Sequence, residues 1–260
     1  MSTTILHPLF VVDGIDASGK ASVVSHVAQA LCAATMSFPD YSTPTGQAIL
    51  GHLRGDWTAI VAAGITEGEH SVSRVEAAFK PGGMMLNPLV RQSLMIANRC
   101  EAQGAMCAEL RERPMVLDRY TLSGLIFGEA EGLDPQLIRR MTKPLLTPQL
   151  TVILDIPVQM VAQRRPQARD ANERNLDLLR HTRAAYRAVA GLHSDDEQAP
   201  CLSDRWSVQH VRHEPGFGYI TAVDATQPLA DVQEQCLRVF RHYLLSAPAH
   251  VVEHAPHLSL

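Results

Sequence analysis

The chain has 260 residues, 46% of them hydrophobic, with a net charge of -4 and a pI near 6.3. That length suits one α/β domain with elaborations and a large core, and the charge balance gives no basic face for a long nucleic acid. No apolar run reaches membrane-spanning length. The five cysteines (Cys32, Cys100, Cys107, Cys201, Cys236) have no framework spacing and read as free thiols of a reducing cytoplasm.

Residues 1–7 are a short lead-in, and residues 5–12 are too short and lack the basic flank of a secretory signal. A strand is predicted over about 8–13, on the apolar run from Leu9 to Val12. It ends in Gly14-x-x-x-x-Gly19-Lys20, and a helical pattern follows directly. Strand, glycine-rich turn and helix in that order make a phosphate-binding loop. The glycines let backbone N–H groups turn inward, the helix brings its positive end, and Lys20 adds a mobile cation. The residue after the lysine is Ala21, where Ser or Thr usually helps hold Mg²⁺; Ser22 is next. The helix from Lys20 to about Ala33 carries Val23, Val24, Val27, Ala28 and Leu31 at helical spacing.

Thr35–Phe38 reads as a second short strand, stopped by Pro39 and followed by a polar loop through Tyr41 to Gly46. Ligands gather at such strand ends in open α/β sheets. A short helix is expected over 47–53, an insertion over about 55–83, and a long helix from Pro88 to about Arg111. The third strand, over 114–117, ends at Asp118–Arg119–Tyr120, with Ser123 and Gly124 close behind. Charged residues at a strand end are poorly explained by packing, although a structural ion pair is an alternative.

A helix is expected over 133–141, started by Asp134 and Pro135. The fourth strand, over 150–156, is almost wholly apolar, as a strand covered on both faces should be. The helix that begins at Val158 runs into four arginines within eleven residues (Arg164, Arg165, Arg169, Arg174), read as a basic flap, and a helix over about 175–190 follows. Residues 191–217 form a second insertion. Its Cys201, His210 and His213 lack the paired spacing of a zinc site and read as surface residues. The fifth strand is expected over 219–223, ahead of Asp224–Pro228 and a last helix over 229–244. Residues 246–260 are expected to be a flexible tail after one domain over 1–245.

Strands alternating with helices predict an α/β P-loop kinase fold: a five-stranded parallel sheet flanked by helices on both faces, with two insertions (about 55–83 and 191–217).

These segments together resemble thymidylate kinase, a P-loop deoxynucleoside monophosphate kinase family. The resemblance is carried by Asp13–Asp16 with Gly19–Lys20, Phe38–Tyr41, Ala97–Arg99, Asp118–Tyr120 with Ser123, Gly124 and Phe127, Leu154–Asp155, and Val223–Pro228. It implies transfer of the ATP γ-phosphoryl group to a deoxynucleoside 5′-monophosphate, with Mg²⁺, in a cytoplasmic homodimer. It places Gly14, Asp16, Ala17, Ser18, Gly19, Lys20, Ala21 and Ser22 on the ATP phosphates, with the flap arginines Arg165, Arg169 and Arg174 closing over them. Asp16, Phe38, Tyr41, Met95, Asn98, Arg99, Arg119, Ser123, Gly124 and Phe127 would hold the acceptor. Lys20, Asp118 and Arg119 would be catalytic, and Ser22 with Asp118 would serve the metal.

Three departures stand out: Ala21, Met95 where the family often stacks an aromatic ring on the base, and Tyr41 where an arginine is common. Those near the acceptor point to a base other than plain thymine, such as a 5-modified pyrimidine, so the expected acceptor is dTMP or a 5-modified dUMP. Action on a modified base within DNA, or a decayed protein that only binds nucleotide, are the alternative readings.

Overall fold

A computed structural model describes residues 4–54, 87–164, 176–192, 211–246 and 250–252. Its strands are β1 (Thr4–Leu6), β2 (Leu9–Asp13), β3 (Ala34–Ser37), β4 (Met115–Asp118), β5 (Leu150–Asp155), β6 (Arg212–Glu214), β7 (Gly218–Asp224) and β8 (His250–Val252). The described helices are α1 (Lys20–Leu31), α2 (Pro44–Arg54), α3 (Pro88–Glu112), α4 (Thr121–Ala130), α5 (Pro135–Thr142), α6 (Val158–Arg164), α7 (Leu176–Val189) and α8 (Leu229–Ser246).

The main sheet has the order β3-β4-β2-β5-β7-β6. Its first five strands are parallel, and β6 pairs antiparallel with β7. It therefore has six strands rather than the five expected. The sixth lies inside the second expected insertion and was illegible because Arg212–His213–Glu214 is a polar edge strand without apolar alternation. His213 sits in it, exposed, with its ring edge on Tyr219. The rest of that insertion over 193–210, including Cys201 and His210, and the insertion over 55–83 lie outside the described residues. The expected tail is amended at His250–Val252, which pairs antiparallel with Thr4–Leu6 in a separate two-stranded sheet.

Side chains alternate across β2, and the core divides accordingly. Phe10 and Val12 join the larger cluster with Val23, Val27, Ile153, Leu154 and Phe240. Leu9 and Val11 join the smaller one with Met106, Leu110, Leu117 and Tyr120. Apolar residues on both faces are what a sheet covered by helices on both sides requires.

Helix α4 escaped the sequence reading. Thr121, Leu122, Ser123, Gly124, Leu125, Ile126 and Gly128 are all buried, so it has no continuous solvent face and shows no stripe. Helix α3 announces itself: Asn87 accepts a hydrogen bond from Leu89 N–H, and Pro88 follows the cap.

The parallel register brings the strand carboxyl ends to one edge. Val12 pairs with Asp118, Ser37 with Asp118, and Asp155 with Asp224. Asp13, Asp118, Asp155 and Asp224 thus end four adjacent strands at the rim where α/β sheets bind ligands.

Candidate functional site: two joined anion subsites

The loop between β2 and α1 is built around its glycines. Gly14 has φ +131°, and a Cβ there would sit 2.5 Å from the Leu154 carbonyl oxygen, so only glycine fits. Gly19 caps α1 without any side-chain hydrogen bond. The amides of the first turn are therefore left for an anion, next to the positive end of the helix dipole.

Two cations converge on this loop from different elements. Lys20 Nζ, from the first turn of α1, donates to the carbonyls of Gly14 (3.2 Å) and Ile15 (2.8 Å). Arg119, just past β4, donates from Nη1 to the same Gly14 carbonyl at 2.9 Å and from Nη2 to Asp16. Its guanidinium also lies 5.3 Å from the centroid of the Phe127 ring. Arg119 adopts φ +64°, a left-handed conformation that is strained for a side chain of this size.

The electrostatics follow from burial and crowding. Burial, then the neighbouring Arg119 charge, lower the Lys20 pKa to about 8, against the pull of Asp16, Asp118 and Asp13. Burial also disfavours charge on Arg119, but Asp16, Tyr186, Asp13 and Asp118 outweigh it and raise the pKa. Burial raises the Asp118 pKa, and Lys20 and Arg119 oppose it.

Beneath them, Asp13 is fully buried and heavily bonded. It accepts from the Gly14 N–H, from the Ser123 hydroxyl at 2.7 and 2.8 Å, and from the Tyr186 hydroxyl at 2.7 Å. Asp155 is equally buried, between Arg183 and Arg187 of α7. Arg164, at the end of α6, donates to the carbonyls of Ala17 (3.1 Å) and Ala225 (2.8 Å), tying the phosphate loop to the turn after β7.

Two cavities open on this rim. One lies over the loop, lined by Gly19, Lys20, Ala21, Ser22, Ser37 and Asp118 among others. The second lies between α3 and α4, with Gln92, Met95 and Arg99 on one wall and Ser123, Gly124 and Phe127 on the other. Asp16, Phe38, Pro39, Tyr41 and Arg119 line both, so the two meet there. Within the second cavity Arg99 is buried over the Phe38 ring and donates to the carbonyls of Met95 and Tyr120. Burial lowers its pKa to about 10. The end of this cavity is closed by an ion pair between Arg91 and Glu131.

Comparison with known proteins agrees with this geometry. A sequence model of the thymidylate kinase family matches residues 79–196. A thymidylate kinase of Arabidopsis thaliana is 29% identical over 157 residues, covering 60% of this chain and 51% of that protein. Against it, the chain spans about half the relative's length. A thymidylate kinase of Schizosaccharomyces pombe is 24% identical over 233 residues, covering 87% of this chain and 88% of the relative. The solved structure of thymidylate kinase from Candida albicans superposes with a TM-score of 0.62 at 18% identity, over 98% of this chain and 97% of that one. That likeness speaks to the fold.

The chain is similar to the thymidylate kinase family in sequence over residues 79–196 and in fold. Among the residues the family resemblance singles out, the loop residues Gly14 to Ser22 and Lys20, Asp118 and Arg119 are brought together. Phe38, Tyr41, Met95, Arg99, Ser123, Gly124 and Phe127 line the second cavity with them. Asn98 does not line it: its buried amide bonds Asp40 at both backbone atoms, and Thr43 and Thr45, holding the loop into α2. Ser123 turns its hydroxyl to Asp13. The flap arginines Arg165, Arg169 and Arg174 lie outside the described residues.

Sequence reasoning missed Arg91, Gln92 and Glu131, and it read Arg164 as part of the flap, whereas that residue ends α6 and bonds the carbonyls of Ala17 and Ala225. A signal existed for the first: Arg91, Met95 and Arg99 recur at intervals of four on α3 and so share one face.

The thymidylate kinase reaction calls for Mg²⁺, which keeps few protein ligands and leans on substrate phosphates. Asp118, half-buried, and Ser22 line the same loop cavity and fit such a site; Ala21 offers no hydroxyl. Among the described residues no group of three acidic, His or Cys side chains could hold a metal without the substrate.

Proposed function

We propose that this protein transfers the γ-phosphoryl group of ATP to the 5′-phosphate of a deoxynucleoside monophosphate. The observation that carries this reading is the meeting of Lys20 and Arg119 on one carbonyl, Gly14 O, at the junction of two cavities. The donor phosphates would lie on the amides of Gly14 to Ser22 with Lys20. The acceptor phosphate would lie on Arg119, a fork suited to bidentate contact.

An acceptor phosphate oxygen attacks the γ-phosphorus in line, the bond to the β,γ-bridging oxygen breaks, and ADP leaves as the diphosphate forms. The chain's task is positioning and charge neutralisation. Lys20 follows the charge that builds on the leaving oxygens, and Arg119 holds the attacking group. Asp118 and Ser22 would hold Mg²⁺, which would supply further neutralisation of the donor phosphates' charge. Arg165, Arg169 and Arg174 are proposed to close over the donor and keep water out.

The acceptor base is proposed to be thymine or a 5-modified uracil, because Met95 adapts to more shapes than a rigid stacking ring. A homodimer is supported by Leu89 and Val90, both 41% exposed on α3. A cytoplasmic location accords with the four described cysteines being free thiols and with the absence, among the described residues, of a helix long and apolar enough to cross a membrane. Incubating the protein with ATP, Mg²⁺ and each common deoxynucleoside monophosphate, plus 5-hydroxymethyl-dUMP, tests the reading. Formation of dTDP or the modified diphosphate is expected; ATP binding with no transfer to any acceptor would overturn it in favour of a decayed binding protein.

A further inference from the structure

The loop between β3 and α2 carries Tyr41, which lines both cavities where they meet. Bonds inside the loop turn the chain into the helix: Asp40 accepts from the N–H and the hydroxyl of Ser42, and the Thr43 hydroxyl accepts from the Gly46 N–H. The tie to α3 is made by Asn98, which has no exposed surface. Its Oδ1 accepts from the Asp40 N–H at 2.8 Å, and its Nδ2 donates to the Asp40 carbonyl at 3.0 Å. The side-chain amide thus exchanges both bonds with one residue's backbone, as a paired strand would. The same Nδ2 faces the hydroxyls of Thr43 at 2.8 Å and Thr45 at 3.1 Å.

An amide nitrogen carries two hydrogens, so three acceptors saturate it and leave nothing for a ligand. A buried polar group with all its partners specifies one arrangement, which apolar packing does not. Here the directional bonds end on the backbone of Asp40, the residue before Tyr41. A second observation shows how closely that backbone is placed. A Cβ on Gly46 would stand 1.8 Å from the Asp40 carbonyl oxygen, so this carbonyl lies against the first turn of α2 while Asn98 and the Thr43 hydroxyl hold it from elsewhere. Play of about 1 Å in a group that touches substrate is enough to cost a large factor in rate.

We infer that Asn98 is a positioning residue for phosphoryl transfer: it fixes the Asp40 backbone so that Tyr41 closes the junction of the two cavities over the acceptor phosphate, and it touches no ligand itself. This rests on the kinase reading above and adds to it a residue that acts through another. Helix α3 then serves the acceptor twice, with Arg99 in the cavity wall and its neighbour Asn98 setting the cavity rim.

The test is steady-state kinetics and equilibrium titration with dTMP for the wild type, Asn98→Ala, Asn98→Asp, Tyr41→Ala and the double variant Asn98→Ala/Tyr41→Ala. Aspartate keeps the shape and removes the donors; alanine removes the whole clamp. Both Asn98 variants are expected to weaken dTMP binding and raise KM for dTMP about tenfold, while KM for ATP stays near wild type. In the Tyr41→Ala background the same replacement should change KM for dTMP by less than about twofold, because residues that act through one another are not additive. Thermal melting identifies a variant that fails to fold. Thr45→Val leaves Asn98 in place and removes one of its acceptors; it should raise KM for dTMP roughly two- to threefold, and it decides the matter if both Asn98 variants unfold.

A folded variant with a lower melting temperature and an unchanged KM for dTMP would show Asn98 to be a structural clamp only and overturn the inference. An Asn98→Ala loss of equal size with and without the Tyr41 side chain would overturn it too, and either result leaves the kinase reading intact. If the wild type neither binds nor phosphorylates any deoxynucleoside monophosphate, the kinase reading itself fails and this inference with it.

Discussion

The two ends of the site are built differently. At the phosphate end the charged groups already have partners inside the protein: Lys20 on two carbonyls, Arg119 on Gly14 and Asp16, Asp13 on four donor contacts. At the base end Gln92 Nε2 and Arg99 Nε are buried without any. The phosphate grips are held in place before substrate arrives and exchange one oxygen partner for another, which keeps reorganisation small.

Substitutions should separate these two ends, beginning with the largest effect. Lys20→Ala is expected to lower kcat by about 10³-fold, the scale of losing a preorganised charge at a transition state. Circular dichroism and the melting temperature should stay near wild type, since removing Lys20 also relieves a buried charge. A loss under tenfold would place the donor phosphates elsewhere. Arg119→Ala should cost about 10²-fold in kcat/KM for the acceptor, and Arg119→Lys should recover little, because a point charge cannot replace a fork.

Asp13→Asn sharpens the contrast from the other side. It should act on stability, by about 2 kcal/mol in urea unfolding, because the buried carboxylate accepts from Gly14, Ser123 and Tyr186 and faces Arg119 at 3.6 Å. A neutral result would mean that the network beneath the phosphate end is not stabilising.

The pH dependence follows from Lys20, with its pKa lowered to about 8 mainly by burial. The reaction needs its charge, so kcat/KM for ATP should fall up to tenfold per pH unit above about 8 in the free enzyme. Stability moves oppositely. The folded pKa lies below the unfolded value of 10.5, so the unfolded chain binds more protons between about 8 and 10.5. The cost of burying the charge is present in full below about 8 and is relieved as pH rises through that window. A Lys20→Met variant should lose both trends. The smallest effect belongs to Tyr186→Phe, about 1 kcal/mol, since Ser123 still donates to Asp13.

Much of the phosphate end was legible because it is local. The strand, Gly14, Gly19 and Lys20 are contiguous, and Asp118–Arg119 sits directly after an apolar run. The base end was only half legible. Met95 and Arg99 came with a known motif, but Gln92 is an ordinary helix residue until Gly124, 32 positions away in sequence, is folded against it. Asn98 shows the reverse error: the motif pointed to a ligand contact, and the fold spends its amide on Asp40, Thr43 and Thr45. Helix α4 and strand β6 were missed for matching reasons, one buried over nearly all its length and the other polar throughout, so neither shows a period.

By itself the sequence determined the alternation of strands and helices, the phosphate loop and the Asp–Arg pair, since each depends on neighbours along the chain. Only the tertiary structure decided that Lys20 and Arg119 share one carbonyl, that two cavities join at Asp16 and Arg119, and which buried donors go unpaired. Those facts turn on strand order and on the register of β2 with β4, which set residues a hundred positions apart within hydrogen-bonding distance, and no local pattern encodes that juxtaposition.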